Sequence, residues 1–383
     1  MKTNPEPSST RPTVMAVYYP HWHRYDHGQA WKGEGWTEWE GLKAARPRFA
    51  GHAQPLRPTW GYFDESGPAL AAREIDLAAD HGIDVFLYDW YWYSGVRNMQ
   101  EALEQGFLQA PNRKRLAFAL MWANHNRIDQ FCPEYNKPRN VWLPSRHSPA
   151  DLERVIDYCA EHYFSQPNYW RVEGRLYLSI FQAARMVDAL GGPAACRRCF
   201  ATLDQRLSRA GLPPIWWSGM VGKVEEVKLL AEAGFSGVGD YVVATAGKAR
   251  DDGTEEYTAV MGAHTHRWGQ MVLGPLPYLP VVTMGWDTSP RCRPDAPWPV
   301  PPTERAYPYV PVVVGNSPER FRELLGSAVK QLSTIHRQPN ALLLYSWNEW
   351  TEGGYLLPEE RTGTAYLEAV REALGLAAPP SMR

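Results

Sequence analysis

The 383-residue sequence predicts an α/β chain folded as a single (β/α)8 TIM barrel with long loops after its strands. Two observations lead there: eight short apolar runs recur along the whole chain, and stretches with helical periodicity separate them. A third is that aromatic and polar residues collect just after those runs, at the end where such barrels build their sites.

The runs are Val14 to Pro20, Asp84 to Trp90, Leu116 to Ala123, Leu176 to Phe181, Ile215 to Met220, Gly237 to Val243, Val281 to Trp286 and Ala341 to Trp347. Each has the length of a strand rather than of a helix. Between them, Leu70, Ala71, Ile75 and Ala78 recur with the period of one helix face. Ser148-Pro149-Ala150-Asp151 supplies a cap, a first-turn proline and an acid at the third position before Leu152, Val155, Ile156 and Cys159. Ala194 to Ala210 is helix-like, and Ser317-Pro318 opens a helix carrying Phe321, Leu324, Leu325 and Ala328 on one face. With no repeat or low-complexity linker, one barrel is expected over residues 14–376, between polar tails at 1–13 and 377–383. Pro20 to Asp64 and Asp287 to Pro311 exceed ordinary connections and are expected to be functional loops.

Composition narrows the function. Hydrophobic residues at 44% and charged residues at 21% suffice for a sizeable core. Forty basic against forty-two acidic residues leave a net charge of −2, so neither nucleic acid nor an anionic membrane is an expected partner. No obligate protein partner is signalled. Five scattered cysteines argue against a disulfide scaffold, and the Cys196-x-x-Cys199 spacing falls in a helix-like stretch without a second ligand pair. No apolar run is long enough for a bilayer, and Met1 to Thr13 lacks an apolar signal core. A cytoplasmic protein is expected, with the periplasm or secretion open if a signal has been removed. His21-x-His23 and His264-x-His266 show no third ligand, and phosphate-loop and dinucleotide motifs are missing, so neither a metal nor another cofactor is expected.

Seventeen Trp and twenty Tyr against eleven Phe put the aromatic surplus in rings with a polar handle. Such rings stand at the ends of the apolar runs: Tyr19 and His21 at the first, Asp89, Trp90 and Tyr91 at the second, Trp122, Asn124 and His125 at the third. Trp286 and Asp287 close the seventh, and Asn348, Glu349, Trp350 and Glu352 follow the eighth. Aromatic faces stack on the C–H faces of pyranose rings while Asn, Asp and His bind hydroxyls, so an oligo- or polysaccharide is the expected ligand. Glycoside cleavage needs one carboxyl to protonate the leaving oxygen and a second as nucleophile or base. Glu349 and Glu352 are the candidates, and burial with mutual repulsion would hold one of them protonated. The plainer alternative makes both solvated loop residues.

The segment Trp31-Lys32-Gly33-Glu34-Gly35-Trp36-Thr37-Glu38-Trp39, with Pro47 to Phe49, Gly51-His52, Gln54-Pro55 and Gly61-Tyr62, resembles the WbsX-type family. That family is related to the endo-α-mannosidase family of glycoside hydrolases, family 99. Tyr91-Trp92-Tyr93, Trp122-Ala123-Asn124, Gly285-Trp286-Asp287, Ser289-Pro290-Arg291 and Trp347-Asn348-Glu349-Trp350-Thr351-Glu352-Gly353 continue the resemblance over nearly the whole chain. It implies a (β/α)8 barrel, adds Trp36 and Glu38 to the expected substrate-binding set, and maps the family's Asn-Glu-x-x-Glu segment onto Glu349 and Glu352. By that resemblance Glu349 is the base on the sugar 2-hydroxyl, which attacks the anomeric carbon to give a 1,2-anhydro sugar. Glu352 is then general acid and afterwards base. The chain departs from many relatives at His125 and Leu357, where they carry Glu, so its substrate contacts are expected to differ. A retaining glycoside hydrolase is the expectation; the alternatives are a glycosyltransferase of surface-polysaccharide synthesis and a non-catalytic carbohydrate-binding barrel.

Overall fold

The computed structural model describes residues 11–131, 139–301, 306–335 and 339–377. Of the two expected tails, residues 1–10 and 378–383 lie outside the described residues, and Thr13 already begins the first strand. The barrel strands are β1 (Thr13–Tyr18), β2 (Val85–Tyr93), β3 (Ala117–Trp122), β4 (Arg175–Ile180), β5 (Ile215–Met220) and β6 (Gly237–Gly239). They continue with β7, in two segments (Tyr278–Leu279 and Val281–Thr283), and β8 (Ala341–Tyr345). All neighbours are parallel, in the order first segment of β7, β6, β5, β4, β3, β2, β1, β8, second segment of β7. The two ends of that order flank Pro280, so nine parallel segments make eight barrel positions. Proline has no N–H for the ladder, which splits the strand, yet its carbonyl still accepts from Leu343 N at 2.9 Å.

Helices pack between and outside the strands where the periodicity placed them. Pro68–Asp80 buries Ala71, Ile75 and Ala78, and Pro318–Thr334 buries Phe321, Leu324, Leu325 and Ala328. Before Pro149–Cys159, Ser148 accepts from Asp151 N while Asp151 accepts from Ser148 N, a reciprocal cap that contributes about 1 kcal/mol. Cys196 and Cys199 lie on Pro193–Arg209 as free thiols.

Three differences from the sequence reading matter for function. β2 runs on to Tyr93 and turns back through Ser94 (φ 53°) and Gly95 (φ 103°) into Val96–Asn98, because two positive-φ residues close a tight hairpin. β6 stops at Gly239 rather than Val243: Tyr241, Val242 and Val243 leave the ladder to form a half-buried rim, so their apolarity reflects packing there. The stretch from Pro20 to Asp64 contains two short helices, Asp26–Lys32 and Trp39–Ala44, which carry Glu38 and Trp39 into the buried interior.

Candidate active site

Alternation along the strands decides which side chains enter the barrel mouth. On β2, Asp89 and Tyr91 face a cavity of about 490 Å³, joined from β3 and its loop by Met121, Ala123 and His125. Their neighbours face outward. Trp90 pairs in register with Trp122, stacks on Trp92 with ring centres 5.5 Å apart and donates to Tyr163 Oη, while Trp122 packs edge-on to His147. Trp90 and Trp122, expected among the substrate-binding residues, are therefore core side chains, because a one-residue step along a strand reverses the face. Tyr19, Phe181, Tyr241, Trp286 and Tyr307 complete the aromatic lining.

After β8 the chain bends sharply. Asn348–Glu349 pairs antiparallel with Gly354–Tyr355, and Trp350–Glu352 forms a 3₁₀ turn between them. Glu349, the last extended residue before the turn, and Glu352, the last residue in it, both line the cavity. The turn requires glycine at 353: its φ is 71°, and a Cβ there would meet Asp287 N at 2.8 Å. Asp287 N instead donates to Glu352 O at 2.7 Å, tying the eighth loop to the seventh.

Both glutamates are held by one guanidinium. Arg291, fully buried, donates through Nη2 to Glu349 Oε1 at 3.0 Å and to Glu38 Oε1 at 3.1 Å, and through Nη1 to Glu352 and Tyr307. Burial works against that charge, but Tyr19, Tyr307, Glu352 and Glu38 outweigh it and keep Arg291 protonated. For Glu38 burial is likewise overcome, by Arg291, His21 and Thr351, and its pKa falls to about 2. His21, stacked on Tyr19 at 4.0 Å with Nδ1 2.8 Å from Glu38, is lowered to about 3, chiefly by burial, and is neutral. Glu352 also accepts from Tyr345.

Burial and the charge of Glu352 push the Glu349 carboxyl well above the usual carboxylate range, against Arg291. Burial raises Asp89 in the same way. Tyr241 Oη lies 2.9 Å from both Asp89 Oδ2 and Glu349 Oε2. One hydroxyl has one hydrogen to donate, so both contacts are favourable only when one of the two carboxyls carries a proton and donates it. A protonated Asp89 that donates to Tyr241, which donates to Glu349, leaves Glu349 ionised with two donors. The three groups therefore share a proton.

The family model described as Glycosyltransferase WbsX matches residues 14–370. This chain belongs to the WbsX family. The uncharacterized protein WxcX of Xanthomonas campestris pv. campestris (strain B100) is 26% identical over 97% of this chain and 51% of its own length. WxcX of strain ATCC 33913 is also 26% identical, over 96% of this chain and 50% of its own. The chain thus spans about half the length of the curated relatives it matches. Among solved structures, the GH99 endo-alpha-mannosidase from Bacteroides thetaiotaomicron superposes with a TM-score of 0.56 at 14% identity, covering 94% of this chain and 96% of that one. A structure described as a glycoside hydrolase-like protein gives 0.59 at 12% identity, covering 98% of each. At such identities the likeness establishes the barrel fold.

In this WbsX-family chain the residues singled out from sequence divide by where they face. Tyr19, Asp89, Tyr91, His125, Trp286, Glu349 and Glu352 line the cavity. His21, Glu38 and Asn348 stand behind it: Asn348 fixes the Tyr19 backbone, with Tyr19 N donating to Oδ1 at 2.7 Å and Nδ2 donating to Tyr19 O at 2.9 Å. Asn124 accepts from Gln182 N at 2.6 Å, Trp350 stacks on Tyr355, and Trp36 packs on Trp31 and Phe131. Asp287 faces a neighbouring hollow of about 180 Å³, accepting from Gln54 Nε2 at 2.6 Å and lying 2.8 Å from His52 Nε2. The paired-histidine motifs are divided as well. His23 meets Glu65 and Glu101, while His264 accepts from Thr283 N and contacts Val260 O.

Arg291, Tyr241, Tyr307 and Tyr345 belong to the site without standing out in the sequence as candidates. Arg291 stood in the Ser289-Pro290-Arg291 match, so a signal existed. Tyr241 and Tyr345 were absorbed into apolar runs, and nothing local separates Tyr307 from other residues of a proline-rich loop.

Proposed function

We propose that this chain is a glycoside hydrolase acting on a polysaccharide or glycan, with Glu349 and Glu352 as its reacting carboxyls. One observation carries the reading: the two acids stand side by side on one guanidinium, in the wall of an aromatic-lined cavity. Ordinary double displacement and inversion set two carboxyls across the sugar from each other. Neighbouring acids instead suit neighbouring oxygens, O2 and the glycosidic oxygen. Glu349 takes the 2-hydroxyl proton as O2 attacks C1; the bond from C1 to the leaving oxygen breaks, and Glu352 gives that oxygen its proton. Water then opens the 1,2-anhydro ring at C1, losing its proton to Glu352 while O2 recovers one from Glu349, and the configuration is retained. The step starts with Glu349 ionised and Glu352 protonated: the Asp89–Tyr241 pair holds the proton that Glu349 gives up, and a neutral Glu352 no longer raises Glu349 by its charge.

Hydrolysis of a polysaccharide panel tests this, with Glu349→Gln and Glu352→Gln as variants. Both should lose at least about 10²-fold on natural glycans, the usual scale of a positioned acid or base. On aryl glycosides with a good leaving group Glu352→Gln should recover much of its rate and Glu349→Gln should not. Equal recovery in both variants would refute the assigned roles. The family's description favours a second reading, glycosyl transfer, under which a nucleotide sugar should bind in calorimetry and no glycan should be hydrolysed.

A further inference from the structure

Besides Arg291, two more guanidiniums line the cavity, Arg139 and Arg185. Arg291 is matched by Glu38, Glu349 and Glu352. The other two are not: among the described residues neither has a carboxylate within ion-pair distance. Arg185 donates only to neutral groups, Gln182 Oε1 at 2.8 Å and Asn126 Oδ1 at 3.5 Å, and Arg139 rests 5.4 Å above the Tyr307 ring. Behind this wall lies Arg127, buried, which donates to Tyr25 Oη at 2.8 Å and whose Nη1 has no hydrogen-bond partner among the described residues. His125, between them on the lining, adds no compensating charge; burial first, and then Arg127 and Arg185, lower its pKa to about 4.

The lining as a whole is balanced, Arg139, Arg185 and Arg291 against Asp89, Glu349 and Glu352, but the carboxylates of the glutamate pair are taken up by Arg291, which leaves the other two guanidiniums uncompensated where they stand. A cleft with low-dielectric walls focuses such a field, and a guanidinium fork matches a carboxylate or sulfate in two parallel hydrogen bonds. Neutral hydroxyls need no such wall. We propose that Arg139 and Arg185 form a subsite for an anionic sugar residue, so that the glycan cut at Glu349 and Glu352 is an acidic one. The cleavage half rests on the hydrolase reading; the subsite does not.

The test is binding and turnover on uronate-containing oligosaccharides, their carboxyl-reduced counterparts and sulfated oligosaccharides, at low and high salt. The proteins are the wild type, Arg139→Gln, Arg185→Gln, the double variant and the two Arg→Lys variants. Each Gln variant should weaken binding of acidic glycans roughly tenfold or more, the double variant further, with carboxyl-reduced glycans unaffected. Lys should restore part of the loss, and affinity should fall with salt. Uronate and sulfate arms identify the anion. Neither arginine sits in a buried network, so melting temperatures should match the wild type and exclude misfolding. Reduced glycans bound as tightly as acidic ones, indifference of the double variant, or arginine-dependent binding confined to UDP-glucose would each overturn the subsite. Arginine-dependent binding without turnover would support it and remove the hydrolase reading; turnover of neutral glycans unaffected by either arginine would do the reverse.

Discussion

Two networks of buried carboxylates lie back to back in this barrel, and they differ in one respect. The first joins Glu38, Glu349 and Glu352 through Arg291. The second gathers Glu65 and Glu101 on His23, at 3.1 and 3.0 Å, beside Glu74, which accepts from Tyr18 Oη at 2.9 Å and Trp347 Nε1 at 3.2 Å. Asn348 connects them, fixing the Tyr19 backbone on one side and donating to Glu65 Oε2 at 3.3 Å on the other. Both contain strongly shifted groups: Glu349 is raised by burial and Glu352, and Glu74 is raised by burial and Glu65 to about 8. Yet no member of the second network lines the cavity. Burial and a shifted pKa mark a charged interior; access to a ligand marks a site.

Three perturbations bear on that contrast. The largest effect is expected from Arg291→Met, which strips three buried carboxylates of their cation and should cost about 3–5 kcal/mol in urea unfolding together with all turnover. A variant of wild-type stability would show that the first network is better solvated than its burial implies, weakening the comparison.

Next is Glu74→Gln. A carboxyl raised from 4.5 to about 8 contributes stability that is full below pH 4.5 and is lost as pH rises through about 8, at up to ~1.4 kcal/mol per unit. His23, raised from 6.5 to about 9 by Glu101 and Glu65 against burial, acts in the same direction at higher pH. Urea midpoints of Glu74→Gln should therefore equal those of the wild type near pH 4.5 and exceed them at pH 8, with turnover retained. An unchanged slope between those values would mean that Glu74 is ionised in the fold. The smallest effect is expected from Tyr241→Phe, which removes one donor from Glu349 and interrupts its link to Asp89. A roughly tenfold fall in kcat/KM is expected, about one hydrogen bond's worth, with the acidic limb of the pH profile moved upward. A limb that stays in place would detach Tyr241 from the titration of Glu349.

Much of this was legible in the residues. The eight apolar runs mark all eight barrel positions, and Ser148 and Asp151 announce their helix because a cap is a local interaction. The Glu349/Glu352 pair is visible as a motif following the last strand. Trp90 and Trp122 show where such reading stops: each lies one residue from a cavity-lining side chain, and only the ladder register says which of the two faces inward.

What the sequence determined by itself, then, is whatever depends on near neighbours: strand and helix spans, caps, and the family to which the order of motifs belongs. Tertiary structure alone decided the rest. Arg291 meets Glu38 across 253 positions, Tyr241 meets Asp89 across 152, and Arg139 and Arg185 are left without a carboxylate partner among the described residues by a packing that no local pattern encodes. The reason is physical: the interaction of buried charges is set by distance and desolvation in space, and separation along the chain constrains neither.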